Sequence, residues 1–122
     1  MTDLVNEFFH KHYPADWKTA EYEFTPMLGG MWRCPHGPAM FPRMVCADGF
    51  SMSVQAHYAA YSRPRDDFAE NYTAVEVGFP SERDELLMPF VEDASTPTNT
   101  VYGYVPVSVV CDVITKHGGL AP

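Results

Sequence analysis

The chain has 122 residues, which allows one domain with a modest core and leaves little room for a second. Apolar residues at 46% and charged residues at 20% exclude a disordered chain, and eleven prolines with eight glycines are too many for a helical bundle. Sixteen Asp and Glu against eight Lys and Arg leave a formal charge of −8, which disfavours general nucleic-acid binding, because that needs a basic surface to displace counterions from phosphates.

The first residues carry neither a basic n-region nor a long apolar stretch, so no secretory signal is expected, and no window approaches a membrane span. Thr2 or Asp3 caps a short helix in which Leu4, Val5, Phe8 and Phe9 recur at helical spacing, with Pro14 as its stop. Alternation from Glu21 to Phe24 predicts a strand. Gly29, Gly30, Pro35, Gly37 and Pro38 predict an irregular segment after it. The strongest local signal is a β-hairpin over 43–57: Phe50, Met52, Val54 and Ala56 share one face, Ser51, Ser53, Gln55 and His57 the other, and Asp48-Gly49 predicts a type I′ turn. Residues 58–71 read as a long loop. Residues 72–79 read as a strand with Thr73, Val75, Val77 and Phe79 on one side. Ser81 predicts the cap of a short helix through Leu86, Leu87 and Met88 that Pro89 ends, and 92–100 is a polar loop. Val101 to Val105 is the last strand, with Tyr102 and Tyr104 on one face. Pro106 then opens a helix to His117 that buries Val110, Val113 and Ile114 and is capped by Gly118 and Gly119.

This order predicts an α+β fold, a mainly antiparallel sheet of four or five strands with two or three helices packed on it, in a single domain spanning 1–122. An open sheet of this kind leaves edges that pair across a two-fold axis, so a homo-oligomer is expected. Cys34, Cys46 and Cys111 are odd in number and far apart, which predicts reduced thiols in a cytoplasm.

No catalytic constellation stands out. Cys111 and His117 fall on different faces of the last helix, no Gly-x-Ser-x-Gly elbow occurs, and Gly29-Gly30 lacks the rest of a phosphate loop. Cys34, His36, Cys46 and His57 form the one metal candidate, but their spacing fits neither common zinc pattern, and they read better as two buried thiols and two surface histidines. No cofactor is expected. What stands out is a set of arginines and aromatics in loops: Trp32, Arg33, Arg43, Tyr61, Arg63 and Arg65, with Tyr102 and Tyr104 as pocket or core residues. Guanidinium forks beside aromatic faces suit phosphate, base or carboxylate recognition. The competing reading pairs Arg63 and Arg65 with Asp66 and Asp67 on the surface.

The segments CADGFSMSVQ (46–55), YTAVEVGFPSE (72–82), VYGYVPVSVV (101–110) and KHGG (116–119) resemble small uncharacterised proteins encoded by bacteriophages and prophages. That resemblance implies a phage-derived accessory protein in the bacterial host cytoplasm and carries no catalytic residues with it. The expectation is a non-enzymatic binder, an inhibitor of a host defence that sequesters a small nucleotide or blocks a host protein. The alternative is a small metal protein or enzyme using Cys34, His36, Cys46 or His57.

Overall fold

The computed structural model describes residues 3–15, 23–25, 31–33 and 40–122; for 23–25 and 31–33 it describes the backbone alone. Helix α1 (Leu4–Lys11) starts where it does because Asp3 is its N-cap, accepting the Asn6 amide at 2.8 Å. Its apolar stripe turns Val5 and Phe9 fully into the core, while Leu4 stays exposed. Strands β1 (Glu23–Thr25) and β2 (Met31–Arg33) pair antiparallel with Phe24 opposite Trp32, so part of the segment expected to be irregular is a strand. Trp17, Gly29, Gly30, Cys34, Pro35, His36, Gly37 and Pro38 lie outside the described residues.

The main sheet is an antiparallel meander of four strands in chain order, β3 (Met44–Val45), β4 (Ser51–Gln55), β5 (Ala74–Gly78) and β6 (Val101–Pro106). Helix α2 (Val107–Lys116) follows β6 directly, and the fold is α+β. The hairpin's strands are as expected, but its turn is not type I′. That turn needs two residues at positive φ, and here only Gly49 has one, at 97°. The turn is closed by the Gly49 amide on the Cys46 carbonyl at 2.9 Å, with Ala47 and Asp48 at its centre.

No α-helix forms at 81–88. Asp84 accepts the Leu86 amide at 2.9 Å, Ser81 Oγ accepts the Ser51 amide instead of capping a helix, and only a 3₁₀ turn at Met88–Phe90 follows. Pro89 falls inside that turn, at a position where its missing N–H is not needed.

Both helices pack into one cluster with the inward residues of the sheet. Val5 and Phe9 of α1 and Val110, Val113 and Ile114 of α2 meet Met52, Val54, Val75, Val77 and Val105, all fully buried. Valines are weak helix formers, so burial rather than propensity holds α2.

Both edges of the sheet are occupied in part. Beside β3, the Ala121 amide donates to the Val45 carbonyl at 2.8 Å and the Ala47 amide to the Gly119 carbonyl at 2.8 Å. Beside β6, the Glu92 amide donates to the Val101 carbonyl at 3.0 Å. Neighbouring segments thus take up part of each edge, which reduces the length of strand open to pairing with another chain.

One buried polar side chain ties α1 to the loop before β5. Asn6 is fully buried, accepts the Tyr72 amide at 2.8 Å and donates to the Tyr72 carbonyl at 3.0 Å. Replacing Asn6 by Ala strands both backbone groups without a partner. The expected loss is about 2–6 kcal/mol, since each of the two unsatisfied buried groups costs about 1–3 kcal/mol; urea unfolding of Asn6→Ala checks it, and a loss below about 1 kcal/mol would show that water replaces the side chain.

Candidate functional site

Strands β5 and β6 align Val75 with Val105 and Val77 with Tyr102, so the single residue Glu76 faces two residues, Gly103 and Tyr104. This is a β-bulge, and its extra residue reverses the alternation of side chains along β6. Tyr102 points inward, fully buried, with its hydroxyl donating to the Pro97 carbonyl at 2.5 Å. Tyr104 is 38% exposed. The sequence reading that put both tyrosines on one face is corrected by this one inserted residue, and of its two alternatives for Tyr102, pocket or core, the burial is that of a core residue. The bulge holds Tyr104 at φ 52°, a left-handed conformation that costs an L-residue about 1–2 kcal/mol.

The loop after β4 docks on the bulge. The Tyr61 amide donates to Glu76 Oε2 at 2.8 Å, and the Tyr104 amide donates to the Tyr61 carbonyl at 3.0 Å. The two rings lie 5.8 Å apart. The Arg63 guanidinium sits over the Tyr104 ring at 5.2 Å and that of Arg65 over the Tyr61 ring at 5.7 Å, both within cation–π range. Arg63 is held there by its backbone, which donates to the Ala74 carbonyl and accepts the Thr73 amide, each at 2.9 Å. All four residues are exposed.

Among the described residues neither arginine forms an ion pair with a carboxylate. The expected pairing with Asp66 and Asp67 does not occur; Asp67 is buried and accepts the Tyr58 amide at 3.1 Å. The guanidinium edges are left facing solvent.

Four of the eight sequence candidates thus form one surface: Tyr61, Arg63, Arg65 and Tyr104. Arg43 lies apart from it, just before edge strand β3. Trp32 and Arg33 belong to β2, whose side chains lie outside the described residues. Of the metal alternative, Cys46 is a core thiol whose pKa is pushed up by burial and by Asp48. His57, expected on the surface, is buried because β4 ends at Gln55 and the chain folds the next residues inward. Its Nδ1 accepts the Ala59 amide at 3.1 Å, and burial holds its pKa below the ordinary value. Among the described residues no group of three His, Cys, Asp or Glu side chains is placed to hold a metal ion, and no helix is long and apolar enough to cross a membrane.

The sequence reading missed a charged cluster centred on two buried groups, His117 and Asp84. His117, the C-cap of α2, lies with Nδ1 2.7 Å from Asp48 Oδ2 and Nε2 2.8 Å from Asp84 Oδ2. Ionised carboxylates only accept, so both contacts are made at once by the imidazolium form, with a proton on each ring nitrogen. Its ring stacks on Phe50 at 4.0 Å, and Lys116 donates to Asp84 at 3.2 Å. Burial opposes the charge on His117, but Asp48 and Asp84 outweigh it and hold its pKa above the ordinary value. Burial likewise pushes Asp84 up, and His117, the Leu86 amide and Lys116 together bring it below the usual carboxylate range. Asp48 is lowered by the Phe50 amide and then by His117. The partners lie 69 and 33 residues from His117, and no local pattern announces such a set.

The signs of these shifts fix the pH response. A raised histidine contributes fully below its unfolded value near pH 6.5 and loses that contribution as pH rises through the folded value. Lowered aspartates contribute above about pH 3.9 and lose it as pH falls through their folded values. The clamp is therefore strongest between about pH 4 and 6.5. His57 has the opposite sign, so the difference between wild type and His117→Gln isolates the clamp. Unfolding free energies should differ more at about pH 5.5 than at about pH 8.5; a difference that does not change with pH contradicts an ionised His117. No family model matches the chain, and no curated protein or solved structure shows significant similarity to it, so its function has to be read from the residues themselves.

Proposed function

We propose that the protein is a non-catalytic binding module that docks on an acidic surface of another protein through Tyr61, Arg63, Arg65 and Tyr104. The observation that carries this reading is the pairing of two exposed tyrosines with two arginines that form no ion pair with a carboxylate among the described residues, in a chain of net charge −8. Tyrosine and arginine dominate the energetically important positions of protein interfaces, because both bring large contact areas together with hydrogen-bond donors. Stacking on the rings pre-orders the guanidinium groups, which reduces the entropy lost on binding. Charge complementarity with an acidic partner surface would speed the encounter and fix its orientation.

A small nucleotide is the second reading, favoured by the same arginine and aromatic chemistry. It is the weaker of the two because small ligands are held in concave sites, whereas these four side chains are exposed on the surface. Combined with the resemblance to phage-encoded proteins, the docking reading describes an accessory protein that blocks a protein of the bacterial host.

The test compares tagged wild type with Arg63→Glu/Arg65→Glu. A partner recovered from host lysate is identified, purified and titrated against both. The double variant should keep its melting temperature and lose at least about 2 kcal/mol of affinity, roughly thirtyfold. Equal affinity removes the patch from the interface. A melting-temperature rise with a nucleotide panel that disappears in the double variant replaces the protein partner with a small ligand.

A further inference from the structure

We infer that a separate groove, between the end of α1, strand β3 and the segment after α2, binds a small organic phosphate with an apolar body. The groove is open on one side, has a volume of about 380 Å³ and is lined by Phe8, Lys11, His12, Arg43, Val45 and residues 120–122. This volume lies at the small end of the range for ligand sites.

Its lining contains three cationic or protonatable side chains and no acidic one, although the chain as a whole has two acids for every Lys or Arg. Among the described residues none of Lys11, His12 and Arg43 has a carboxylate partner. Helix electrostatics explains a lysine and a histidine at the C-terminal end of α1, where they offset the exposed carbonyls. It does not explain Arg43, which arrives from the sheet.

Arg43 is also fixed in place. Its Nη2 donates to the Phe79 carbonyl at 2.7 Å and to Ser51 Oγ at 3.1 Å, and its Nε lies 3.3 Å from the same hydroxyl. Among the described residues Nη1 has no hydrogen-bond partner. A held arginine and a flexible lysine lining the same groove are the residue types that recognise a phosphate.

The rest of the wall is apolar. The Phe8 ring packs against His12 at 4.8 Å, and Val45 is 47% exposed in a strand that otherwise faces the core. Phe8, Val45 and Leu120 together offer a surface that a bare phosphate would not use, which is why the ligand class includes an apolar body. None of these residues belongs to the Tyr61 and Tyr104 surface, so the two sites stand or fall separately.

The experiment is an NMR titration of the full chain with phenyl phosphate, with inorganic phosphate and phenol in parallel. Phenyl phosphate should give saturable shifts at the amides of Lys11, His12, Val45 and Leu120. Lys11 is exposed, so Lys11→Glu should leave the fold unchanged and weaken binding at least tenfold. Absence of saturable shifts at these amides, or unchanged affinity in Lys11→Glu, overturns the site. Inorganic phosphate or phenol binding as tightly as phenyl phosphate overturns the ligand class, because one half of the groove would then contribute nothing. Arg63→Glu/Arg65→Glu should bind phenyl phosphate as wild type does, which separates this result from the fate of the docking surface.

Discussion

A single inserted residue in β6 decides which aromatic side chain the surrounding solvent meets. Regular pairing with β5 would send Tyr104 to the same side as Tyr102, into a core already filled by valines and methionines. Because Gly103 and Tyr104 together oppose Glu76, Tyr104 turns outward and its amide becomes free to take the Tyr61 carbonyl. Glu76 completes the arrangement by accepting the Tyr61 amide. The loop that carries Arg63 and Arg65 is thereby fastened to the sheet at the point where the alternation breaks. Strain at Tyr104 is offset by the bonds that the bulge makes available, which is the usual circumstance in which such backbone persists.

A second part of the molecule is organised by charge. His117 joins three segments that share no secondary structure: the end of α2, the β3–β4 turn at Asp48 and the turn at Asp84. Buried ion pairs do not stabilise a fold simply by being present, since desolvation offsets much of their attraction. Here the geometry limits that loss, because both ring nitrogens, both carboxylates and the flat face of Phe50 are engaged at once. The consequence is a fixed exit for the chain after α2, which sets Leu120 and Ala121 along β3 and covers part of that edge of the sheet.

What could be seen beforehand follows from the range of each interaction. Asp3 as a cap, the alternation from Phe50 to Ala56 and the apolar stripe of α2 are local patterns, and the structure has all three. The turn at Asp48 was misjudged because Asp-Gly is compatible with more than one turn, and the choice here goes with a carboxylate that reaches His117 and the Phe50 amide. Residues 81–88 carry a cap-like serine and leucines, yet Asp84 is drawn to His117 and Ser81 to β4, so long-range bonds override a weak helical signal. Half of the arginine and aromatic candidates converge, since loop position favours exposure. Tyr102 could not be separated from Tyr104, because a bulge changes register without leaving a mark in the periodicity of one strand.

The central claim is that the bulge presents a preformed surface of two tyrosines and two arginines for recognition. Ring and guanidinium resonances of the free and partner-bound protein, recorded by NMR, test this most directly. The account predicts that binding shifts Tyr61, Tyr104, Arg63 and Arg65 while Tyr72 and Tyr102, both buried, stay where they are. Shifts that leave these four unchanged and fall elsewhere on the molecule would contradict it.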